Sequence, residues 1–450
     1  MKLGNPMRLL FLRIIVAGFT LAISFTSAYA IEIKEVTSPG GIKAWLVENK
    51  AIPLIAMNFS FEGGSTSDPA GKEGTAHFLT GMMDEGAGDL DGAAFQALRD
   101  ELAVRINFDS GMDQFEGSLQ TLSKNRAQAF DLLKKVLTAP HFEKTAMERV
   151  RQQFLVSAIN DEQEPESLAS RAWMELAFGS QLYARKSSGT PQSLAAITPD
   201  DLRAMHRLLF SRKGLKVAVV GDIDAASLAL MLDDVFGGLP DTEPPKPVSG
   251  VTVAKGPVVK VIDRDIPQSI IVFGNEGILR SDPDFIPAFI MSEILGGSGF
   301  ASRLTAEIRE KRGLTYGIGF GLSPMDHAGL NVGSLGTRNE KAGEALAIVK
   351  DTLKKMADEG PTQAELDDIK TYLTGSYALR FDTNNKIAGQ LLGIQEENLG
   401  IDYINKRNSM VEAITLDQVK AQARRLIDSE RLIVTVVGKP EGLKSTGTGG

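Results

Sequence analysis

The chain has 450 residues, 43% hydrophobic and 24% charged, close to the globular average, which excludes a disordered chain and a polytopic membrane protein. Forty-five Gly and nineteen Pro follow no triplet period, so collagen-like and linker-like readings fail. A formal net charge of −8 offers no general basic field for nucleic acid, and the lack of Cys removes disulfides, thiolate metal sites and cysteine nucleophiles. The four histidines, His77, His141, His206 and His327, are far apart in sequence, so no helical His pair can hold a metal.

Residues 1–30 read as an export signal. Lys2, Arg8 and Arg13 form a positive start, residues 14–25 an apolar stretch, and Ala28-Tyr29-Ala30 a small-residue cleavage site. The apolar stretch is shorter than the roughly 20 residues that span a bilayer. Removal after Ala30 takes the net charge from −8 to −11. No later stretch has the length and apolarity of a membrane span, so the expectation is an exported, soluble, periplasmic chain with no membrane partner. A retained anchor is the alternative.

Beyond residue 30 the chain repeats itself. Residues 52–69 (IPLIAMNFSFEGGSTSDP) and 266–283 (IPQSIIVFGNEGILRSDP) agree at eight of eighteen positions without a gap. Residues 196–221 and 413–438 agree at twelve of twenty-six, and the two offsets are 214 and 217. Two matches in one order at nearly one offset indicate a tandem duplication, and a unit of about 200 residues is a domain with its own core. Within each unit, strand-like runs at 54–61 and 269–273 come early. The β-branched runs Leu215–Val220 and Leu432–Val437 come late, each ending at Gly. Helical patterns at 143–160, 167–177 and 361–380 lie between, with N-cap signals at Thr198-Pro199-Asp200-Asp201 and Thr415-Leu416-Asp417.

Strands segregated from helix runs predict an α+β fold. The expected form is two tandem homologous α/β-sandwich-like domains, each an antiparallel-rich sheet with helices, at 31–240 and 258–440. Asp241-Thr242-Glu243-Pro244-Pro245-Lys246-Pro247 opens a stiff Pro-rich linker, 241–257, and residues 441–450 read as a flexible tail.

Residues 73–88, EGTAHFLTGMMDEGAG, come directly after the first repeated segment. They resemble the active-site helix of the insulinase/pitrilysin-like (inverzincin) zinc peptidases, and the resemblance extends over nearly all of the chain beyond residue 30. It implies an H-x-x-E-H motif, with two His on one helical face binding Zn²⁺ and the Glu activating the bound water. Here the five positions read His77-Phe78-Leu79-Thr80-Gly81. The first ligand is present, but Thr80 stands at the general-base position and Gly81 at the second ligand. The family's third ligand, a Glu roughly 75–80 residues further on, falls in a window, VRQQFLVSAIN at 150–160, that contains no acid; Glu148 and Asp161 only flank it. His77 then reads as a packed or capping histidine, with no metal bound by this chain. A site rebuilt with Asp84 or Glu85 is the alternative.

A second family feature is intact. Residues 295–316 read LGGSGFASRLTAEIREKRGLTY; Leu304 and Ile308 give a helix one apolar face, Gly313 stops it, and Thr315–Leu322 reads as a strand. The resemblance implies that Arg309 and Tyr316 reach across to a zinc-bearing half, Tyr supporting the oxyanion and Arg holding a substrate carbonyl. Gly296-Gly297-Ser298-Gly299 lacks the Lys-Ser/Thr of a phosphate-binding loop. It lets the chain turn into the next helix, and resembles the substrate-touching glycine-rich loop of the non-catalytic subunit of mitochondrial processing peptidase.

A missing zinc half beside an intact Arg/Tyr half resembles the non-catalytic subunit of a bacterial heterodimeric peptidase. This implies a homologous catalytic subunit with H-x-x-E-H as partner, Zn in that partner, and a chamber for unfolded peptide substrates. A peptide-binding or structural protein, like the family's core subunits in a respiratory cytochrome complex, is one alternative; an active metallopeptidase with a rebuilt metal site is the other.

Overall fold

In a computed structural model, residues 31–297 and 302–446 are described. The expected export signal, Ser298 and Gly299 of the glycine-rich loop, and residues 447–450 lie outside them. The first half contributes strands β1 (Lys34–Thr37), β2 (Lys43–Glu48), β3 (Leu54–Glu62), β4 (Gly86–Ala87), β5 (Leu90–Asp91), β6 (Arg105–Ser110), β7 (Gln114–Leu122) and β8 (Lys216–Gly221). The second contributes β9 (Val258–Asp263), β10 (Gln268–Glu276), β11 (Ile318–Pro324), β12 (Gly329–Arg338) and β13 (Ile433–Gly438).

The duplication is visible in the strand order. One sheet runs β1-β2-β8-β3-β7-β6 and the other β9-β13-β10-β12-β11, so that, past β1, the two take the same path. Each has a single parallel pair, β2 with β8 and β13 with β9, and is antiparallel elsewhere. The repeated sequence segments are the central strands β3 and β10 and their neighbours β8 and β13. Period-two alternation sends Ile55, Met57, Phe59 and Phe61 of β3 into the first core and turns Asn58, Ser60 and Glu62 to the opposite face. The helices before β8 and β13 begin with capping boxes, Thr198 with Asp201 and Thr415 with Gln418, and Pro199 occupies the first turn.

Each half has its own core, and a third core joins them. The helix Pro165–Phe178 belongs to the first half but lies on the second sheet, where Ala169, Trp173 and Phe178 pack with Val272, Leu330 and Ile433. Trp173 Nε1 donates to the Ile433 carbonyl at 3.0 Å, and Thr435 Oγ1 donates to the Ala169 carbonyl at 2.8 Å. Gly274 makes room for the indole, since a Cβ there would lie 3.0 Å from Trp173 Cζ2. Reciprocally, the helix Asn384–Glu396 of the second half packs on β3 and β8. Asn384 Nδ2 donates to Leu54 O at 3.3 Å, and Gln395 Nε2 to Val217 O at 3.1 Å.

The Pro-rich connection has no regular structure but is anchored: the amide of Ala254 donates to Ala177 O at 2.7 Å, and Val253 joins the third core. The expected flexible tail gives way over its described part. Thr446 N donates to Val259 O at 2.9 Å and Val261 N to Ser445 Oγ at 2.9 Å, so residues 441–446 cover the otherwise open edge of β9. Among the described residues, no helix is long and apolar enough to cross a membrane.

Candidate functional site

The motif helix Thr75–Met82 starts at Gly74, whose φ of +90° and crowding against Ser188 O and Gly189 Cα leave no room for a side chain. Its first amides are held by Asp68, one of the residues that the two repeats share. The buried carboxylate accepts from Gly74 N at 2.6 Å and Ala76 N at 2.8 Å. Burial pushes this carboxyl up to about 7, against the pull of those amides. Asp68 is a site-positioning residue that pattern reading missed. The signal was the invariance of Ser-Asp-Pro between the two repeats.

His77 comes next on this helix, and an aromatic ring faces it. Phe154, on the helix Lys144–Asp161, stacks on the imidazole with centroids 4.5 Å apart and rings inclined by 36°. Burial pulls the His77 pKa below its ordinary value, ahead of the opposing influence of Asp109 and Asp161. Thr80 folds its hydroxyl back onto its own helix, donating to His77 O at 2.7 Å. At Gly81 an added Cβ would stand 2.8 Å from Phe154 Cζ and 2.9 Å from Val150 Cγ1. Phe154 and Val150 thus occupy the space that a second ligand would need.

The acids named as alternatives are engaged elsewhere. Asp84 accepts from Gln96 at 3.2 Å and pairs with Arg99 at 3.3 Å, and Glu85 pairs with Arg149. Glu148 pairs with Arg151 at 3.1 Å, and Asp161 with Lys186 at 3.1 Å. Among the described residues, no three His, Asp or Glu side chains come together in a way that could hold a metal ion. The residues around His77 do not fit a zinc ion.

The Arg/Tyr region differs from expectation in its backbone. Residues Thr305–Glu310 form a π-helical turn, with Lys311 N donating to Ala306 O at 3.0 Å, although Leu304 and Ile308 are buried as the apolar spacing predicts. Such turns recur at functional sites. Gly313, at φ +61°, ends the segment, and its amide donates to Arg309 O at 2.9 Å. The next strand begins at Ile318, three residues later than its expected start. Thr315 is the cause: its Oγ1 donates to Gly336 O at 2.7 Å and accepts from Gly317 N at 3.2 Å, closing a bend before the ladder begins. Tyr316 sits on that bend, 88% exposed. It stands over a cleft of about 310 Å³ whose wall includes Glu166 and Ser170 of the exchanged helix and Gln268 of β10.

Gly296 and Gly297 are close-packing positions: a Cβ on Gly296 would lie 2.6 Å from Phe320 Cβ, and Gly297 caps the helix Phe285–Gly296, donating to Glu293 O at 3.1 Å.

A duplicated α/β unit with a helix that keeps only His77 of a zinc-peptidase motif, with Phe154 packed beside it, defines a peptidase-like chain. The chain belongs to the insulinase (M16) peptidase family. Residues 46–187 match the family model for insulinase (peptidase family M16), and residues 196–373 match the model for the peptidase M16 inactive domain. The chain is similar to the "Non-peptidase homolog YmxG" of Helicobacter pylori, 28% identical over 75% of this chain and 78% of that one. It also matches the mitochondrial-processing peptidase subunit beta of Lentinula edodes, 22% identical over 86% of this chain and 85% of that one. Among solved structures, the peptidase M16 inactive domain from Pseudomonas fluorescens superposes with a TM-score of 0.85 and 29% identity, covering 92% of this chain and 99% of that chain.

Proposed function

We propose that this chain is the non-catalytic subunit of a two-chain zinc peptidase, exported to the periplasm, that lends Arg309 and Tyr316 to a homologous partner carrying H-x-x-E-H. The observation that carries the reading is the contrast between two positions. Phe154 fills the place of the second ligand beside His77, whereas Tyr316 is held outward at 88% exposure on a bend that Thr315 fixes. A tyrosine presented this way has a hydroxyl free to donate to an anionic oxygen outside its own chain. Arg309, on the π-helical turn, offers a planar donor for a substrate carbonyl. Zinc belongs to the partner in this reading, where it polarises the scissile carbonyl. The relatives named as non-peptidase and inactive support a chain that does not cleave alone, and the processing-peptidase match supports proteolysis as its setting.

The test is peptide hydrolysis by this chain, by a homologue from the same organism that carries H-x-x-E-H, and by the two mixed. Activity is expected only in the mixture, with zinc recovered only in the partner. Full hydrolysis by a mixture containing the Tyr316→Phe, Arg309→Ala double variant would leave the structural reading in its place. Near one equivalent of zinc in the single chain would restore the rebuilt-site reading.

A further inference from the structure

The second half holds a concavity of about 390 Å³ that the peptidase reading does not use. Its walls come from the helices Phe285–Gly296, Asn384–Glu396 and Tyr403–Glu412, the turn Tyr377–Phe381 and the end of β11. The lining is apolar and aromatic for the most part, which is the usual character of a small-molecule pocket. Set into it are three guanidinium groups, Arg280, Arg380 and Arg407, against one lining carboxylate, Glu397.

The cations are placed by their neighbours. Arg280 lies 4.2 Å from the Phe285 ring centroid and 5.5 Å from that of Tyr403, and its Nη2 donates to the Tyr403 hydroxyl at 2.8 Å. Arg407 is only 7% exposed; it lies 4.6 Å from the Tyr377 centroid, and its Nη1 donates to Leu373 O at 2.7 Å. Ring faces and carbonyls orient these groups without neutralising them. Among the described residues, none of the three arginines forms a salt bridge, although the surface elsewhere is rich in them. Burying a guanidinium such as Arg407 without a salt-bridge partner is costly, and the Arg380 charge nearby adds repulsion. The nearby carboxyls respond weakly: burial is the first influence on both Glu293 and Glu397 and raises them, with the arginines opposing.

We propose that this concavity binds an apolar molecule ending in a single carboxylate, its body against Phe285, Ile286 and Phe289 and its carboxylate toward Arg280, Arg380 and Arg407. The apolar walls exclude a strongly hydrated ligand, and Glu397 near Arg280 with Glu293 near Arg380 and Arg407 offset two of the three positive charges, which suits a monoanion better than a phosphoryl dianion. A planar carboxylate also matches the guanidinium fork. Two sources share this chemistry: the free C-terminus of a peptide with an apolar last residue, and a free fatty acid. The proposal does not depend on Arg309, Tyr316 or a partner chain.

Calorimetric titration of the full chain with N-acetylphenylalanine, its primary amide, decanoate and inorganic phosphate tests it. At least one of the two carboxylates is expected to bind saturably, and the amide to bind at least about tenfold more weakly, the effect of one lost charge-assisted hydrogen bond. Binding of the acetylated amino acid alone identifies a peptide terminus, and binding of decanoate alone a free acid. Arg380→Gln and Arg280→Gln should each weaken the bound carboxylate by about tenfold or more. Arg380 is exposed, so its substitution leaves folding intact. Equal binding of acid and amide, preference for phosphate, no binding of either acid, or binding unchanged in both variants overturns the proposal.

Discussion

The two halves share a strand order and diverge at the places where chemistry would occur. In the first half the motif helix is closed: His77 lies under Phe154, and Gly81 survives as the one residue small enough to pass Phe154 and Val150. In the second half, the segment that carries Tyr316 stays open, with this side chain exposed over a cleft. Beside His77, the motif therefore differs in space as well as in residues, since Phe154 and Val150 crowd the position of Gly81. The exchanged helices differ in the same sense. The one from the first half seats a tryptophan in a shared core, whereas the one from the second meets a polar sheet face. Glu396 Oε1, Ser60 Oγ and Asn58 Oδ1 there are buried without well-formed hydrogen bonds.

The largest effect should come from the apolar exchange. Trp173→Ala removes a side chain that is 1% exposed and its bond to Ile433 O, and should cost about 3–5 kcal/mol in denaturant unfolding. If the halves are independent, the loss will be far smaller and confined to one transition.

Next comes the open half, which can be separated into its two residues. In the reconstituted pair, Tyr316→Phe should lower turnover by about 10²–10³, or roughly 2.7–4 kcal/mol, with KM little changed. Arg309→Ala should raise KM as well. Both variants should co-purify with the partner at wild-type yield.

The closed half predicts a packing penalty. Gly81→His should destabilise the chain by about 1–3 kcal/mol, because the new side chain meets Phe154 and Val150. Adding Phe154→Ala should return part of that loss, while Thr80→Glu with Gly81→His alone should yield neither zinc binding nor hydrolysis. A thermal melt and a zinc assay on the three variants would show whether the aromatic plug or the ligand set is the barrier.

The smallest effect concerns pH. Burial, then repulsion from Glu116, pushes the Glu396 carboxyl up to about 7 from an ordinary 4.5, although Ser60 favours the anion. Between those values the folded chain holds a proton that the unfolded chain has released, so this group's contribution to stability declines as pH rises from about 4.5 to 7. Glu396→Gln should therefore gain on the parent chain between about pH 5 and pH 8, by on the order of 2 °C in Tm. Asp68, raised for the same main reason, keeps part of the parental slope in that variant.

Much of the fold was legible in the chain itself because it rests on local rules. Alternating residues of β3 and β10, β-branched runs ending at Gly221 and Gly438, and Thr198 and Thr415 as caps all depend on neighbours within a few positions. The duplication was equally legible, since two aligned segments at one offset require no knowledge of space. So were the gaps in the motif at Thr80 and Gly81. The boundaries of Tyr316's strand were not, because Thr315 bonds to Gly336, a partner twenty-one residues away.

By itself, then, the sequence determined the family, the two repeated sheets and the residues absent from the metal motif. Only the tertiary structure decided that Phe154 fills the vacant position and that Asp68 anchors the motif helix. It also decided that Trp173 and Asn384 cross between halves, and that Arg280, Arg380 and Arg407 meet around one hollow. The physical reason is range. Periodicity and capping act over a few residues and are written in order along the chain. Packing, charge crowding and the shape of a cavity arise between segments far apart in the chain, where residue order carries no distance.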